Sequence, residues 1–152
     1  MVRWARGEGE IARLLARREL DRVTGAAANG QPLLAHARQT LASAATLTST
    51  DPYSAYVLAY DAARFACTAL LAQQGLRPTT AGGHAAVADA VRAQFGDTFR
   101  PFGTLRRRRN ELEYPHTPGD TATSDEAEEA AAAAQALIDG TAKLLDHLTF
   151  YD

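Results

Sequence analysis

Hydrophobic residues recur along most of the chain at the three- and four-residue spacing of amphipathic helices, and strand-like alternation is almost absent. A first helix is predicted from about Glu8 to Val23. Pro32 suits the first turn of a second helix, which runs to about Leu47. Each of the two helices has one apolar stripe, formed by Ile11, Leu14, Leu15 and Leu20 in the first and by Leu33, Leu34, Ala37, Leu41, Ala44 and Ala45 in the second.

The third predicted helix has the clearest start in the chain. Asp51 is a good N-cap, and Pro52 stands at the first helical position, where its missing N–H costs nothing. The helix reaches about Gln74 and stops at Gly75. Its apolar face is wide and predicts a central place in a bundle; it comprises Tyr53, Tyr56, Val57, Tyr60, Cys67, Leu70 and Leu71.

A loop over 76–83 separates this helix from three more, which are predicted over about 84–95, 102–114 and 124–148. The last of them begins with Thr123-Ser124-Asp125-Glu126, the pattern of a capping box. We therefore expect an all-α, single-domain antiparallel bundle of five to six helices that spans 1–152, with the helices packed over about 8–148.

Composition agrees with one compact domain. A chain of 152 residues, 46% hydrophobic and 22% charged, is long enough to bury its own core. The single cysteine, Cys67, excludes an intramolecular disulfide and a cysteine zinc site, and the four histidines lack metal-ligand spacing, so we expect no metal and no cofactor. No run of about 18 apolar residues is present, and the N-terminus is polar from the start, which favours a cytoplasmic protein without a membrane span.

The net charge of −2 is unevenly distributed. Residues 1–116 carry +5 and residues 117–152 carry −7. Carboxylates in the first turns of the last helix favour the positive end of its dipole, which explains part of the acidic excess. An acidic patch that faces a partner, or the arginine-rich helix of another subunit, is the alternative.

The segment 104–116 contains the most unusual chemistry. On a helix, Arg109 falls inside the apolar stripe, between Leu105 and Leu112, with Arg106 one turn earlier. A buried guanidinium needs a partner. Either Arg109 pairs with carboxylates, for which Glu113 and Asp61 are candidates, or it binds a phosphate with Asn110 adding donors. Most of the other arginines here are expected on the solvated surface.

Several segments together resemble the HEPN superfamily, and in particular a small bacterial HEPN-like family. They cover most of 10–148 and comprise residues 55–64, 69–78, Gly82-Gly83-His84 and the stretch from Arg106 to Pro115. The resemblance implies an all-helical bundle that forms homodimers. It also implies a metal-independent ribonuclease, often a toxin paired with a nucleotidyltransferase antitoxin.

In active HEPN members an Arg, four to six residues and a His lie at the end of a core helix, and two copies form one RNA-cleaving cleft. By this resemblance Arg109 is the motif arginine and Asn110 the polar residue after it. Four intervening residues lead to Tyr114 and six lead to His116, which lies beyond Pro115. The resemblance therefore implies catalytic roles for Arg109, Asn110, Tyr114 and His116, phosphate binding by Arg106 and Arg109, and supporting roles for Asp61, Arg64 and Glu113.

A second hypothesis is a non-catalytic interaction module that partners a nucleotidyltransferase or another protein, with Arg109, Glu113 and Asp61 as a purely structural network. Other residues carry weaker expectations. His36 and His147 are expected at the surface, and Cys67 in the core. The turn Gly82-Gly83-His84 is expected to be flexible, with anion binding at a helix N-terminus as the alternative.

Overall fold

The computed structural model describes residues 3–151 and folds them into six α-helices, with one short two-stranded sheet beside them. The predicted all-α bundle is confirmed. The elements are α1 (Glu8–Ala16), β1 (Leu20–Arg22), α2 (Gln31–Leu47), α3 (Pro52–Gln73), β2 (Leu76–Pro78), α4 (Gly83–Phe95), α5 (Arg100–Glu113) and α6 (Ser124–Leu144), with 3₁₀ turns at Gly25–Ala27, Gly96–Phe99 and Leu145–His147.

Helix α3 is the centre of the bundle and packs against α2, α4, α5 and α6. The Asp51 carboxylate accepts a hydrogen bond from the Ser54 amide at 3.1 Å, which confirms the predicted N-cap. By length and composition alone α3 could cross a membrane, and 67% of its most apolar 18-residue window is buried inside the bundle. A central position accounts for its hydrophobicity, as its wide apolar face predicts.

The first helix is shorter than its sequence pattern predicts. It ends at Ala16, and Arg18 then adopts the left-handed conformation with φ 57°, which sends residues 20–22 into a strand. This position is usually occupied by glycine, so the sequence contains no stop signal there. Leu20 is buried as expected, but from β1 and not from a helix.

The predicted loop over 76–83 contains the partner strand. β2 pairs antiparallel with β1, with Leu20 opposite Pro78 and Arg22 opposite Leu76. Gly75, at φ 72°, ends α3, and its carbonyl accepts a hydrogen bond from Val23 N at 2.8 Å. The expectation of an irregular loop was wrong here, because the strand is defined by pairing with a segment more than 50 residues away.

The turn that leads into α4 is closely packed and not the flexible turn that the sequence suggests. A side chain on Gly82 would place its Cβ 2.1 Å from the carbonyl oxygen of Glu19. The Thr79 hydroxyl donates to the Arg18 carbonyl at 2.7 Å and accepts from Gly82 N at 3.1 Å. These contacts fix the start of α4 against the end of α1.

The last two helices differ from the prediction mainly at their ends. Helix α5 begins at Arg100, since Pro101 fits the first turn. Thr123 caps α6 by accepting from the Glu126 amide at 3.1 Å, but the Glu126 carboxylate binds Arg108, so only half of the capping box forms. Helix α6 ends at Leu144, and Leu145–His147 continue as a 3₁₀ turn.

Candidate functional site

The apolar stripe of α5 is observed as predicted. Phe102, Leu105 and Leu112 are buried, and Arg109 lies within the same side of the helix with its side chain 22% exposed. Arg106 is half-buried as well. Helix α5 therefore presents two arginines toward the bundle, at positions where a regular amphipathic helix would have apolar or small residues.

Arg109 makes one ion pair, with Glu113 at 2.8 Å between Nη2 and Oε1. Its guanidinium carbon also lies 5.7 Å from the centroid of the Tyr60 ring, within cation–π distance. Its Nε atom, however, is buried and has no hydrogen-bond partner. The predicted pairing with Glu113 is thus observed, but it leaves part of the guanidinium unsatisfied.

Two more arginines share this feature. The Nε atoms of Arg64 and Arg106 are also buried without a partner. Arg64 lies over the ring of Phe65 at 4.5 Å, and its Nη2 is 3.7 Å from Asp61 Oδ1. We call Arg64, Arg106 and Arg109 the arginine cluster, since the charges of all three act on the same two neighbours, Tyr60 and His84.

Tyr60 and His84 form a polar pair next to the arginine cluster. The Tyr60 hydroxyl lies 2.7 Å from Nδ1 of His84, and the Tyr60 ring is fully buried and stacked on Phe102 at 5.5 Å. Burial raises the pKa of Tyr60. Burial also lowers the pKa of His84, and the positive charges of Arg64 and Arg109 lower it further, while Asp61 opposes them. Burial and the neighbouring guanidinium groups thus favour the neutral form of the imidazole.

A basic cleft continues from the arginine cluster along α4 and α5. It has a volume of about 300 Å³ and shares Arg106 with the cluster. Among the described residues its wall contains one acidic side chain, Asp89, together with Ala88, Arg92, Phe99, Arg100, Gly103, Arg106 and Arg107. Burial raises the pKa of Asp89. Arg100 is already paired with Asp97 at 3.2 Å, so Arg92, Arg106 and Arg107 supply the excess positive charge that attracts anions.

Arg108 faces the other side of α5 and is fully engaged. Its guanidinium binds Asp120 through both Nη atoms at 2.9 and 3.1 Å, Glu126 through Nε at 2.9 Å, and Glu111 at 3.3 Å. These carboxylates raise the pKa of Arg108 further above its usual range. The acidic C-terminal region thus pairs with the arginine helix of its own chain, where the sequence suggested helix-dipole effects or a partner.

The HEPN-derived motif residues at the end of α5 are exposed and form no side-chain pair with Arg109 within residues 3–151. Asn110 and His116 are exposed, and Tyr114 is 76% exposed. Within residues 3–151, neither Tyr114 nor His116 makes a side-chain hydrogen bond, and Arg109 forms no ion pair with Asp61. The expected network of Arg109, Glu113 and Asp61 is therefore two separate pairs, Arg109 with Glu113 and Arg64 with Asp61.

The remaining candidates lie elsewhere. Cys67 is completely buried in the core, as predicted, and burial raises the pKa of its thiol. His36 and His147 are exposed, and His36 contacts the Phe65 ring at 4.3 Å between centroids. Across residues 3–151 no three His, Cys, Asp or Glu side chains converge in a way that could hold a metal ion.

Sequence reasoning missed the role of His84 and Tyr60. Tyr60 and Arg64 are four residues apart on α3, and Arg106 and Arg109 are three apart on α5, so each pair shares a helix face. That spacing could have suggested a polar strip facing another helix. No local signal could have placed His84 there, because it meets Tyr60 across 24 residues of chain.

Fold and site together define a small all-α bundle with a half-buried arginine cluster beside a Tyr–His pair. No family model, curated protein or solved structure matches the chain. The HEPN resemblance therefore stays a prediction.

Proposed function

We propose that this chain is a HEPN-like domain that binds the phosphate groups of RNA or of a nucleotide at the arginine cluster. The observation that supports this most directly is the set of three buried, unpartnered Nε atoms in Arg64, Arg106 and Arg109. An unsatisfied buried donor costs about 1–3 kcal/mol, so three such donors in arginines that act on the same two neighbours favour a ligand whose oxygens hydrogen-bond these guanidinium groups.

The chemistry of the cluster suits phosphate. A guanidinium presents several N–H donors in one plane, which match two phosphate oxygens at once. Arg64 and Arg109 each have one carboxylate partner, Asp61 and Glu113, whereas Arg106 has none among residues 3–151. The cluster therefore keeps a positive charge after these pairs are counted.

The basic cleft favours a ligand with more than one phosphate. It extends the positive surface from Arg106 to Arg92, Arg100 and Arg107. Single-stranded nucleic acid follows such positive grooves through its backbone phosphates. RNA is therefore preferred over an isolated phosphate ion in this proposal.

In the proposed ribonuclease, RNA cleavage requires His116 or Tyr114 as well as Arg109. One copy of the chain does not pair these residues with Arg109. His116 and Tyr114 are exposed, and within residues 3–151 neither forms a hydrogen bond or ion pair with Arg109. In the family that the chain resembles, two copies complete one cleft, so we extend the proposal to a homodimer in which the exposed segment 114–116 approaches the arginine cluster of the other copy. Metal-independent ribonuclease activity depends on that association.

The experiment is RNA binding and cleavage by the purified protein in EDTA. Fluorescence anisotropy with a short labelled single-stranded RNA measures affinity, and a gel of the same mixtures measures cleavage. We expect Arg109→Ala to weaken binding by roughly tenfold or more, since hydrogen bonds to charged groups contribute about 1.5–3 kcal/mol. Arg38→Ala is the matched control, because Arg38 is exposed on α2 and its loss changes the net charge equally.

Equal affinity of Arg109→Ala and Arg38→Ala would overturn the proposal for this site. If the ribonuclease part is correct, RNA cleavage disappears in Arg109→Ala and in His116→Ala. The wild-type protein should also sediment as a dimer. Binding without cleavage would restrict the function to phosphate recognition.

The Arg109–Glu113 ion pair favours a second candidate, the non-catalytic interaction module that partners a nucleotidyltransferase or another protein. At 2.8 Å this pair gives Arg109 a structural role even without a ligand. A folded wild type that binds no RNA, together with Arg109→Ala and Glu113→Gln that lower thermal stability equally, would support this candidate instead.

A further inference from the structure

His84 follows a closely packed turn, and its side chain contacts Tyr60. The closely packed Gly82 turn fixes the start of α4, and the Nδ1 atom of His84 is within 2.7 Å of the Tyr60 hydroxyl. Tyr60 itself is completely buried and stacked on Phe102. The imidazole therefore has a defined orientation next to the arginine cluster.

The hydrogen bond determines which ring nitrogen carries the proton. Within residues 3–151 the Tyr60 hydroxyl has His84 as its only hydrogen-bond partner, and burial keeps the phenol protonated. The hydroxyl therefore donates to Nδ1, and the neutral imidazole carries its proton on Nε2. Nε2 makes no hydrogen bond within the same residues and is not sealed from solvent.

The charged groups that act on His84 lie on α3 and α5, although α4 also packs against α1. Asp61 and Arg64 lie on α3, and Arg106 and Arg109 lie on α5. Three guanidinium groups against one nearby carboxylate disfavour a positive imidazole in the empty site. A bound phosphate would reverse this balance, since its negative charge favours the imidazolium.

We propose that His84 is a direct ligand of the bound phosphate and that binding takes up one proton at this residue. The inference rests on the proposed phosphate site. Nε2–H donates to a phosphate oxygen, and a proton from solvent adds to Nδ1, while the Tyr60 hydroxyl rotates to accept from Nδ1–H. No covalent bond other than N–H forms, and the proton returns to solvent on release.

The sign of the pH effect follows from linkage. Because the bound state holds more protons than the free state, affinity rises as the pH falls toward the value at which free His84 is itself protonated, and it levels off below that value. A phosphodiester does not titrate between pH 5 and 8, so a short oligouridylate is the probe. Uptake of one proton changes affinity by at most about tenfold per pH unit.

The test is the affinity of oligouridylate at pH values from 8 to 5.5, measured for wild type and His84→Gln. Glutamine keeps an N–H donor in a similar position but cannot titrate. We expect the wild-type affinity to rise roughly three- to tenfold over this range and that of His84→Gln to stay nearly constant. His147→Gln, at an exposed position, is the matched control and should retain the wild-type profile.

A second readout reports on the residue directly. The imidazole resonances of His84 should titrate at higher pH with RNA bound than without it, and Tyr60→Phe should reduce this shift while the stacking on Phe102 persists. An unchanged His84 titration, or equal pH profiles for wild type and His84→Gln, would overturn the inference. If RNA still binds through Arg109 in that case, the proposed function stands; if wild type binds no RNA, both fall.

Discussion

Arg108 and Arg109 are neighbours on α5, yet their side chains have opposite surroundings. The guanidinium of Arg108 meets three carboxylates and has its Nε bound to Glu126, whereas Arg109 has one carboxylate partner and an unpartnered Nε. Both side chains are 22% exposed, so burial does not distinguish them. The difference indicates that Arg108 joins the acidic region to the bundle, whereas ligand binding by Arg109 is the proposal that this contrast supports.

The arginines of α5 differ in how many of their N–H donors have partners within the chain. Exposure and charge alone would treat the three half-buried arginines Arg106, Arg108 and Arg109 alike. The number of donors that the protein itself satisfies separates Arg108, with all of its nitrogens engaged, from Arg106 and Arg109. A satisfied guanidinium contributes to stability, whereas an unsatisfied buried donor costs free energy, and the proposed function assigns the partly satisfied arginines to phosphate.

The largest effect is expected when both partly paired arginines of α5 are removed, which tests how they differ from Arg108. Arg106→Ala combined with Arg109→Ala should weaken single-stranded RNA binding about 100-fold, because two charge-assisted contacts are lost. The slope of log affinity against log salt should decrease by about 1.4, at about 0.7 per phosphate contact. Anisotropy titrations at several salt concentrations measure both quantities.

The outcome that contradicts this prediction is a double variant with wild-type affinity and salt dependence. Arg108→Ala provides the internal comparison, since it removes one positive charge from the same helix, where the double variant removes two. Its RNA affinity should stay close to that of wild type.

Removing Arg108 should instead reduce stability. Arg108→Ala leaves Asp120 and Glu126 without their partner, so we expect the free energy of unfolding to fall by clearly more than it does in Arg107→Ala. Urea denaturation followed by circular dichroism measures it. Arg107→Ala is the control, because Arg107 is exposed, and it should change stability by less than about 0.5 kcal/mol. Equal losses of stability in Arg108→Ala and Arg107→Ala would contradict the structural role of Arg108.

A smaller effect of the opposite sign, a gain in RNA affinity, is expected when Glu113 is substituted. In the proposed site this carboxylate competes with phosphate for Arg109, from which it lies 2.8 Å. Glu113→Gln should therefore raise RNA affinity by about two- to threefold, which corresponds to the roughly 0.3–0.5 kcal/mol of an i,i+4 ion pair. Weaker RNA binding by Glu113→Gln would show that the pair positions Arg109 and does not compete.

The smallest effect concerns the titration of Asp120. The Arg108 guanidinium lowers the pKa of Asp120 below its usual value. Because the folded pKa is depressed, the contribution of this pair is present above about pH 4, near the pKa of an unfolded Asp, and is lost as the pH falls through the folded pKa. Carboxyl NMR should show the Asp120 pKa rise toward its ordinary value in Arg108→Ala. An unchanged pKa would mean that another group lowers it.

Most of the fold could be predicted from the sequence because helix periodicity and caps are local. Asp51 and Thr123 act as N-caps where the pattern placed them, and the boundaries of α2 and α3 agree with the prediction to within a residue or two. The end of α1 could not be predicted, since a non-glycine residue, Arg18, occupies the left-handed position. The β1–β2 pair could not be predicted either, because strands of three residues are too short to show a hydrophobic periodicity.

The candidate site was predictable in part. The sequence placed Arg109 within the apolar stripe and Glu113 within reach of it, because both relations follow from the pitch of one helix. It could not show that Arg108 would be the most fully paired arginine, since Asp120 and Glu126 reach it only after the chain turns back into α6.

By itself, then, the sequence determined an all-α bundle with a central third helix and an arginine in the core-facing stripe of α5, because these properties depend on residues within a few turns of one another. The tertiary structure decided which guanidinium groups have hydrogen-bond partners and which histidine lies beside the arginine cluster. His84 meets Tyr60 only because α4 is fixed against the end of α1 and packs on α3. Contacts between helices depend on how the whole chain closes around its core, and no local pattern encodes them.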